Sequence, residues 1–198
     1  MRVIFFLSGV PKNSPYYDLA EAAIARARRY IKDAHIVQHT DMETTAILGV
    51  DEVVRSDFDC PLILGRMKHL ANETEDFLSL DVDLFLRADL EEVFAYPFDV
   101  CLVRRYGNAN LNGMDCGRYV CSLMVSRSIA FWNDLVTEAE KLPIEDQRWI
   151  GPQVAIDAIA SKYKILELPE KLYSYHHDIR PDVKAVHLKG ARKLILCA

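Results

Sequence analysis

With 198 residues, 51% of them hydrophobic and 27% charged, the chain is long enough to bury a core and fits one domain over 1–198; a disordered or fibrous protein is excluded. A net charge of −5 excludes a global attraction to nucleic acid or anionic membrane, while leaving room for a local basic groove. The five cysteines, Cys60, Cys101, Cys116, Cys121 and Cys197, form no Cys-x-x-Cys pair, and three lie in apolar runs, so buried free thiols in a reducing, cytoplasmic setting are expected.

Arg2 to Leu7 is apolar throughout and rich in β-formers, as a fully buried parallel strand is. Ser8-Gly9 ends it, too early for a signal peptide, and no run approaches a membrane span. A helix is predicted from Tyr16 to Lys32, with Leu19, Ala22, Ala23, Ala27 and Tyr30 inward. A strand over His35 to Gln38 then leaves through His39-Thr40-Asp41. Asp51 to Arg55 reads as a short strand, and Pro61 opens a helix to about Asn72 with Leu62, Ile63, Met67 and Leu70 inward.

Phe77 to Leu80 reads as a buried strand, followed by Asp81-Val82-Asp83 and a second apolar run, Leu84 to Leu86. Asp89 is placed to cap a helix over Leu90 to Phe94. Further strands are expected at Asp99 to Val103, Tyr119 to Val125, Tyr163 to Leu168 and Ala185 to Leu188. Helices are expected at Ser128 to Lys141 and Gln153 to Ser161, and a Gly/Asn-rich loop at Gly107 to Gly117. Strands alternating with helices predict an α/β fold with a mostly parallel central sheet flanked by helices.

The phosphate-binding glycine patterns are missing. The turn after the first strand reads Ser8-Gly9-Val10-Pro11-Lys12, which is no Gly-x-Gly-x-x-Gly, and the chain has no Gly-Lys-Ser/Thr. In an α/β protein ligands bind at the carboxyl ends of the strands, and two hard carboxylates there suit a divalent cation carrying phosphates. Near the C-terminus stands His187-Leu188-Lys189-Gly190-Ala191-Arg192-Lys193. A histidine leaving a strand suits an ion such as Mn²⁺. Gly190 lets the backbone turn closely past a ligand, and Lys193 is placed to neutralise a departing diphosphate.

Asp81-Val82-Asp83 resembles the Asp-x-Asp motif of GT-A-fold glycosyltransferases. His187-x-x-Gly190-x-x-Lys193 resembles the C-terminal motif of glycosyltransferase family 8, the glycogenin-like and galactosyltransferase-like enzymes. Order and separation agree, Arg66 matches a donor-binding arginine, and Asp89-Leu90-x-x-Val93-Phe94 matches the segment after the Asp pair.

The resemblance implies a metal-dependent transfer of a sugar from a nucleotide-diphosphate sugar, with UDP the expected nucleotide. Asp81, Asp83 and His187 would hold Mn²⁺ or Mg²⁺, with Asp83 the more direct ligand and Asp81 shared between metal and ribose. Lys193 and Arg66 would steady the phosphates, and the first strand's loop, with Ser8 and Gly9, would hold the base. The acceptor is left open among glycan, protein, small molecule and modified nucleobase.

The chain departs from the family where Val120-Cys121-Ser122 replaces Asn-(Ser/Ala)-Gly. The Asp-Gln pair that faces sugar or acceptor falls either on Asp146-Gln147 or on Pro152-Gln153, where the acid is lost; Gln153, at an expected helix start, is preferred.

Each of these residues has a plainer reading. Strand-end carboxylates are commonly solvated, His187 alone would be a structural histidine, and Lys193 alone a surface charge. His176 and His177, being adjacent, would face opposite ways in a strand. His39-Thr40-Asp41 either contacts a nucleotide or builds its own turn. Arg104-Arg105-Tyr106 is an exposed strand exit or a contact for phosphate or acceptor, and Phe131 and Trp132 belong to the core. The rival functions are a haloacid-dehalogenase-type phosphohydrolase with Asp81 as nucleophile and Asp83 as acid, and a nucleotide-sugar-binding module without turnover.

Overall fold

The computed structural model describes residues 1–57, 59–107, 110–111, 114–148, 151–175 and 180–189. In chain order the elements are β1 (Arg2–Phe6), α1 (Tyr16–Tyr30), β2 (His35–Thr40), β3 (Glu52–Arg55), α2 (Leu62–Ala71), β4 (Phe77–Leu80), β5 (Leu84–Leu86), α3 (Glu91–Phe94), β6 (Val100–Arg104) and the short pair β7 (Asn110–Leu111) and β8 (Met114–Asp115). There follow β9 (Tyr119–Ser126), α4 (Ile129–Ala139), α5 (Gly151–Ile159), β10 (Ile165–Pro169), α6 (Glu170–Tyr173) and β11 (Ala185–His187). Single 3-10 turns lie at Asp146–Arg148 and Ala160–Lys162.

Seven strands form one sheet in the order β10-β6-β9-β4-β1-β2-β3, in which β9 alone runs against the others. This is the mostly parallel α/β sheet that the alternating pattern predicts. The strand period of two explains why it has two cores. Val3 and Phe5 of β1 face α1, whereas Ile4 faces the side covered by α2, α4 and α5. Strands covered on both sides read as the continuous apolar runs seen at β1 and β4.

Several expectations shift by a residue or more. β2 continues through His39 and Thr40 because both have partners, Phe6 on β1 and Val54 and Arg55 on β3. Ala22 is exposed; α1 buries Tyr17, Leu19, Ala20, Ala23, Ile24 and Ala27 instead. In α2, Leu62 is 43% exposed, and Arg66 and His69 join Leu64, Met67 and Leu70 on the buried face. Asp89 accepts from the Glu91 amide at 3.3 Å from just ahead of α3, whose N-cap is Leu90. Helix α5 begins at Gly151, placing Gln153 inside its first turn.

The register between β6 and β9 jumps in mid-strand. Leu102 pairs with Met124, but Val103 pairs with Val120, so Cys121, Ser122 and Leu123 have no partners on β6. Bulges of this kind re-aim a strand and recur beside functional sites.

The second core centres on Trp132. Its ring lies 5.5 Å from that of Phe77 and 5.2 Å from that of Phe131, and its Nε1 donates to Ser126 Oγ at 2.6 Å. Trp132 is fully buried. Truncation to alanine removes the largest side chain of this core and leaves a cavity, so Trp132→Ala is expected to cost about 3–5 kcal/mol. Urea unfolding checks this, and a loss below about 1 kcal/mol would show that the helices over this face collapse into the space.

Candidate functional site

The carboxyl ends of β1 and β4 lie side by side, where the strand order reverses direction from β1 toward β3. In open α/β sheets this is the crevice in which ligands sit. Asp81, Asp83, Ser8 and Gly9 all follow these two strand ends.

Asp81-Val82-Asp83 is a turn, not a continuation of the strand: the Leu84 amide donates to Asp81 O at 3.1 Å. The turn hands the chain to β5, which pairs antiparallel with β11, His187 lying opposite Leu84. The Leu188 amide donates to Asp83 O at 2.9 Å and closes the join. His187 Nε2 therefore lies 3.2 Å from Asp83 Oδ1 and 3.8 Å from Asp81 Oδ2. One ligand atom from each of Asp81, Asp83 and His187 lies within 4.8 Å of the others, and this is the only such three-residue group among the described residues.

The cluster is braced from behind. Arg66 Nη1 donates to Asp81 Oδ1 at 2.5 Å, and its Nη2 reaches Ser79 Oγ at 3.0 Å and Cys121 O at 3.4 Å. Asp81 thus gives one oxygen to an arginine and keeps the other toward His187. The β9 bulge supplies two of the fixed points, Cys121 O for Arg66 and Ser122 O for the Asp81 amide at 2.9 Å. Burial pushes the Cys121 thiol up to about 12, so it stays protonated there.

Behind the imidazole runs a pair of buried hydroxyls. Ser174 Oγ lies 3.3 Å from His187 Nδ1 and 2.8 Å from Ser122 Oγ. Ser174 carries no motif in the sequence, and Ser122 stands where the family motif is departed from. Only the fold brings residue 174 between residues 122 and 187.

Ser8 and Gly9 are organised by Asp41. The Ser8 hydroxyl and the Gly9 amide both donate to Asp41 Oδ2 at 2.5 Å, and the Thr44 hydroxyl joins them at 2.7 Å. Asp41 Oδ1 accepts from the Glu43 and Thr44 amides, so Asp41 builds its own turn. Gly9 has φ +68°, a left-handed conformation that suits glycine. An open cleft of about 560 Å³ lies beside this loop, lined among others by Gly9, Lys12, Asp41, Thr44 and Asp57.

Of the two glutamine candidates, Gln147 donates to Glu140 O and Leu142 O and ties down the chain after α4. Gln153 accepts a hydrogen bond from Arg105 Nη2. Gly190, Lys193 and His176-His177 lie outside the described residues. No described helix is long and apolar enough to cross a membrane, and Cys60, Cys101 and Cys121 are free thiols.

Burial raises the Asp41 carboxyl, but hydrogen bonds from Ser8, Thr44 and Gly9 outweigh it and hold the group well below its ordinary 3.8. A depressed folded-state pKa gives stability that is complete above the unfolded value and lost as pH falls toward the folded one. The stability gap between the wild type and Asp41→Asn should therefore be constant from pH 7 to about 4 and shrink below that. Urea unfolding across this range checks it, and a gap that stays constant down to pH 3 would contradict the hydrogen-bond account.

No protein-family model matches the sequence, and no curated protein sequence matches it either. Its fold is similar to that of solved structures. Two crystal structures of the glycosyltransferase GlyE from Streptococcus pneumoniae TIGR4, one of them the apo form, superpose with TM-scores of 0.67 and 0.69 at 13% identity. The superpositions cover 96% of this chain and 54% of GlyE, so the chain spans about half the length of these structures. At this identity the likeness establishes the fold, a mixed α/β sheet shared with a glycosyltransferase.

Proposed function

We propose that this chain is a metal-dependent glycosyltransferase that uses a nucleotide-diphosphate sugar, with UDP as the nucleotide. The observation that supports the reading is the Asp81–Asp83–His187 cluster at the carboxyl end of β4. The shared fold is consistent with it.

The donor set suits Mn²⁺ or Mg²⁺. Small divalent ions bind oxygen and nitrogen ligands at about 2.0–2.2 Å, so two ligands of one ion lie within about 4.4 Å. The mutual spacing of up to 4.8 Å is close to that. Two carboxylates lie at one turn, and Arg66 pairs with a single oxygen of Asp81. His187 Nε2 faces two carboxylate oxygens, Asp83 Oδ1 at 3.2 Å and Asp81 Oδ2 at 3.8 Å. A cation held among these three atoms would bind all of them.

When bound, the ion supplies Lewis-acid stabilisation of the diphosphate leaving group. The chain's own residues do the positioning. Asp83 and His187 present fixed ligand atoms because the β5–β11 pairing sets their separation. Arg66 acts through Asp81, holding one oxygen so that the other is aimed. Gly9, fixed together with Ser8 by Asp41, forms part of the wall of the cleft in which the nucleotide base is proposed to sit. Lys193 and Gly190 enter through the family resemblance, Lys193 offsetting charge on the departing diphosphate.

Calorimetric titration of UDP, GDP and ADP with and without Mn²⁺ tests the reading. UDP should bind only with the metal, and Asp83→Asn should lower affinity at least about tenfold, or ~1.4 kcal/mol. Equal binding in EDTA, or no nucleotide binding at all, would sink it. A second measurement concerns the hydroxyl behind the ring. Ser174→Ala should weaken Mn²⁺ affinity by about 10–100-fold, as loss of a ligand's supporting partner does. Unchanged affinity would mean that the Ser174 contact does not orient His187.

A further inference from the structure

Arg104, Arg105 and Arg118 cluster where β6 ends and β9 begins, and they are not equivalent. Arg104 pairs with Glu167 at 2.7 Å and Arg118 with Asp157 at 3.0 Å. Arg105 is half-buried, and its partners are neutral oxygens: Gly117 O at 3.2 Å from Nε, and Tyr119 O at 3.5 Å and Gln153 Oε1 from Nη2. No carboxylate among the described residues comes within ion-pair distance of it. The carboxylates on neighbouring elements are engaged elsewhere. Glu167 takes Arg104 and the Tyr119 hydroxyl, Asp157 takes Arg118, and Glu170 takes the Tyr106 amide at 2.7 Å. A partly buried guanidinium with only neutral partners keeps its charge available for an incoming anion.

The surrounding backbone fixes this cation in place. Gly117 has φ +74°, and a Cβ there would meet Gln153 O at 2.7 Å and Asp157 Oδ2 at 3.1 Å. The entry to β9 is thus packed directly on α5, and the acceptors holding Arg105 from the two elements cannot drift apart. Strand β9 links this cation to the metal cluster. Arg105 reaches Tyr119 O, while the Asp81 amide is held by Ser122 O. The two carbonyls are three residue steps apart along β9, about 10 Å at ~3.3 Å per residue, and serve opposite sides of the strand. Cys121 lies between, its Sγ within the fields of Arg66, Asp81 and Arg105 alike.

We propose that Arg105, held by Gln153, forms an oxyanion-recognising subsite linked through β9 to the Asp81–Asp83–His187 cluster, and that a substrate of this site carries a carboxylate or phosphate. The inference rests on the glycosyltransferase reading and narrows its substrates. The anion belongs either to the transferred sugar, as a uronate, or to the acceptor, and Arg105 can form a two-point hydrogen bond with either.

The test is calorimetry in Mn²⁺ on the wild type, Arg105→Gln and Arg105→Lys. One series compares UDP-glucuronate with UDP-glucose. The other titrates UDP-loaded protein with glucuronate, glucose 6-phosphate and glucose. The wild type should favour the anionic member of one series at least tenfold, Arg105→Lys should keep part of that preference, and Arg105→Gln should lose it. Preference in the first series places the anion on the donor sugar; preference in the second places it on the acceptor. Metal-dependent UDP binding with no anionic preference in either wild-type series overturns the subsite and leaves the transferase reading standing. Absence of UDP binding in the wild type overturns both. The decisive comparison is made on the wild type, so a variant that fails to fold does not shield the proposal.

Discussion

The jump in register on β9 is the constraint from which the site follows. An antiparallel strand in full register would spend both its carbonyl rows on its neighbours. Here the stretch Cys121 to Leu123 is released from β6 while Leu123 remains paired with Leu80 of β4. The freed Cys121 carbonyl accepts from Arg66, and the Ser122 carbonyl holds the Asp81 amide at the point where β4 ends. Arg66 is buried and charged, a costly arrangement unless its donors are met by well-placed acceptors. The bulge supplies one of these, Ser79 another and Asp81 the counter-charge. Straightening β9 would take one acceptor from the guanidinium and disturb the turn that carries Asp81 and Asp83.

A second constraint works over long range. His187 reaches Asp83 only because β11 pairs with β5, and residues 83 and 187 stand far apart in the chain. Closing a segment of roughly a hundred residues costs only about 0.6 kcal/mol more than closing one half as long. The chain between can therefore hold β6, β9, β10 and their helices at little extra entropic cost. Ser174 enters from that intervening chain, since its amide is bonded to Glu170 O one turn earlier. The hydroxyl contact between Ser122 and Ser174 then joins the central sheet to the small β5–β11 pair behind the histidine.

Much of this was legible residue by residue. Phe77 to Leu80 shows its burial in its composition, and the Asp81, Asp83 and His187 pattern names three groups that the fold does bring together. The misreadings have physical causes. Hydrophobicity alone places Leu62 inward, yet α2 turns Arg66 and His69 to the sheet, where each finds an ionic or hydrogen-bond partner. The bulge carries no glycine or proline to announce it. Ser174 is a lone serine whose importance depends on two distant segments, and α6, a single turn after Pro169, is too short to show a helical period. Asp41 did carry a signal, since an aspartate followed three residues on by threonine is a common self-bonding turn.

The two outermost strands differ in kind from the five they enclose. β3 has only four residues and ends at the exposed Arg55, and β10 ends in Pro169, which has no amide hydrogen to offer. A parallel sheet with apolar strands is a ready template for adding a further strand from another molecule. Brevity and charge at one margin, and a missing donor at the other, leave each ladder incomplete. The sheet is thereby discouraged from growing sideways into an aggregate while its interior strands remain free to be as apolar as the core requires.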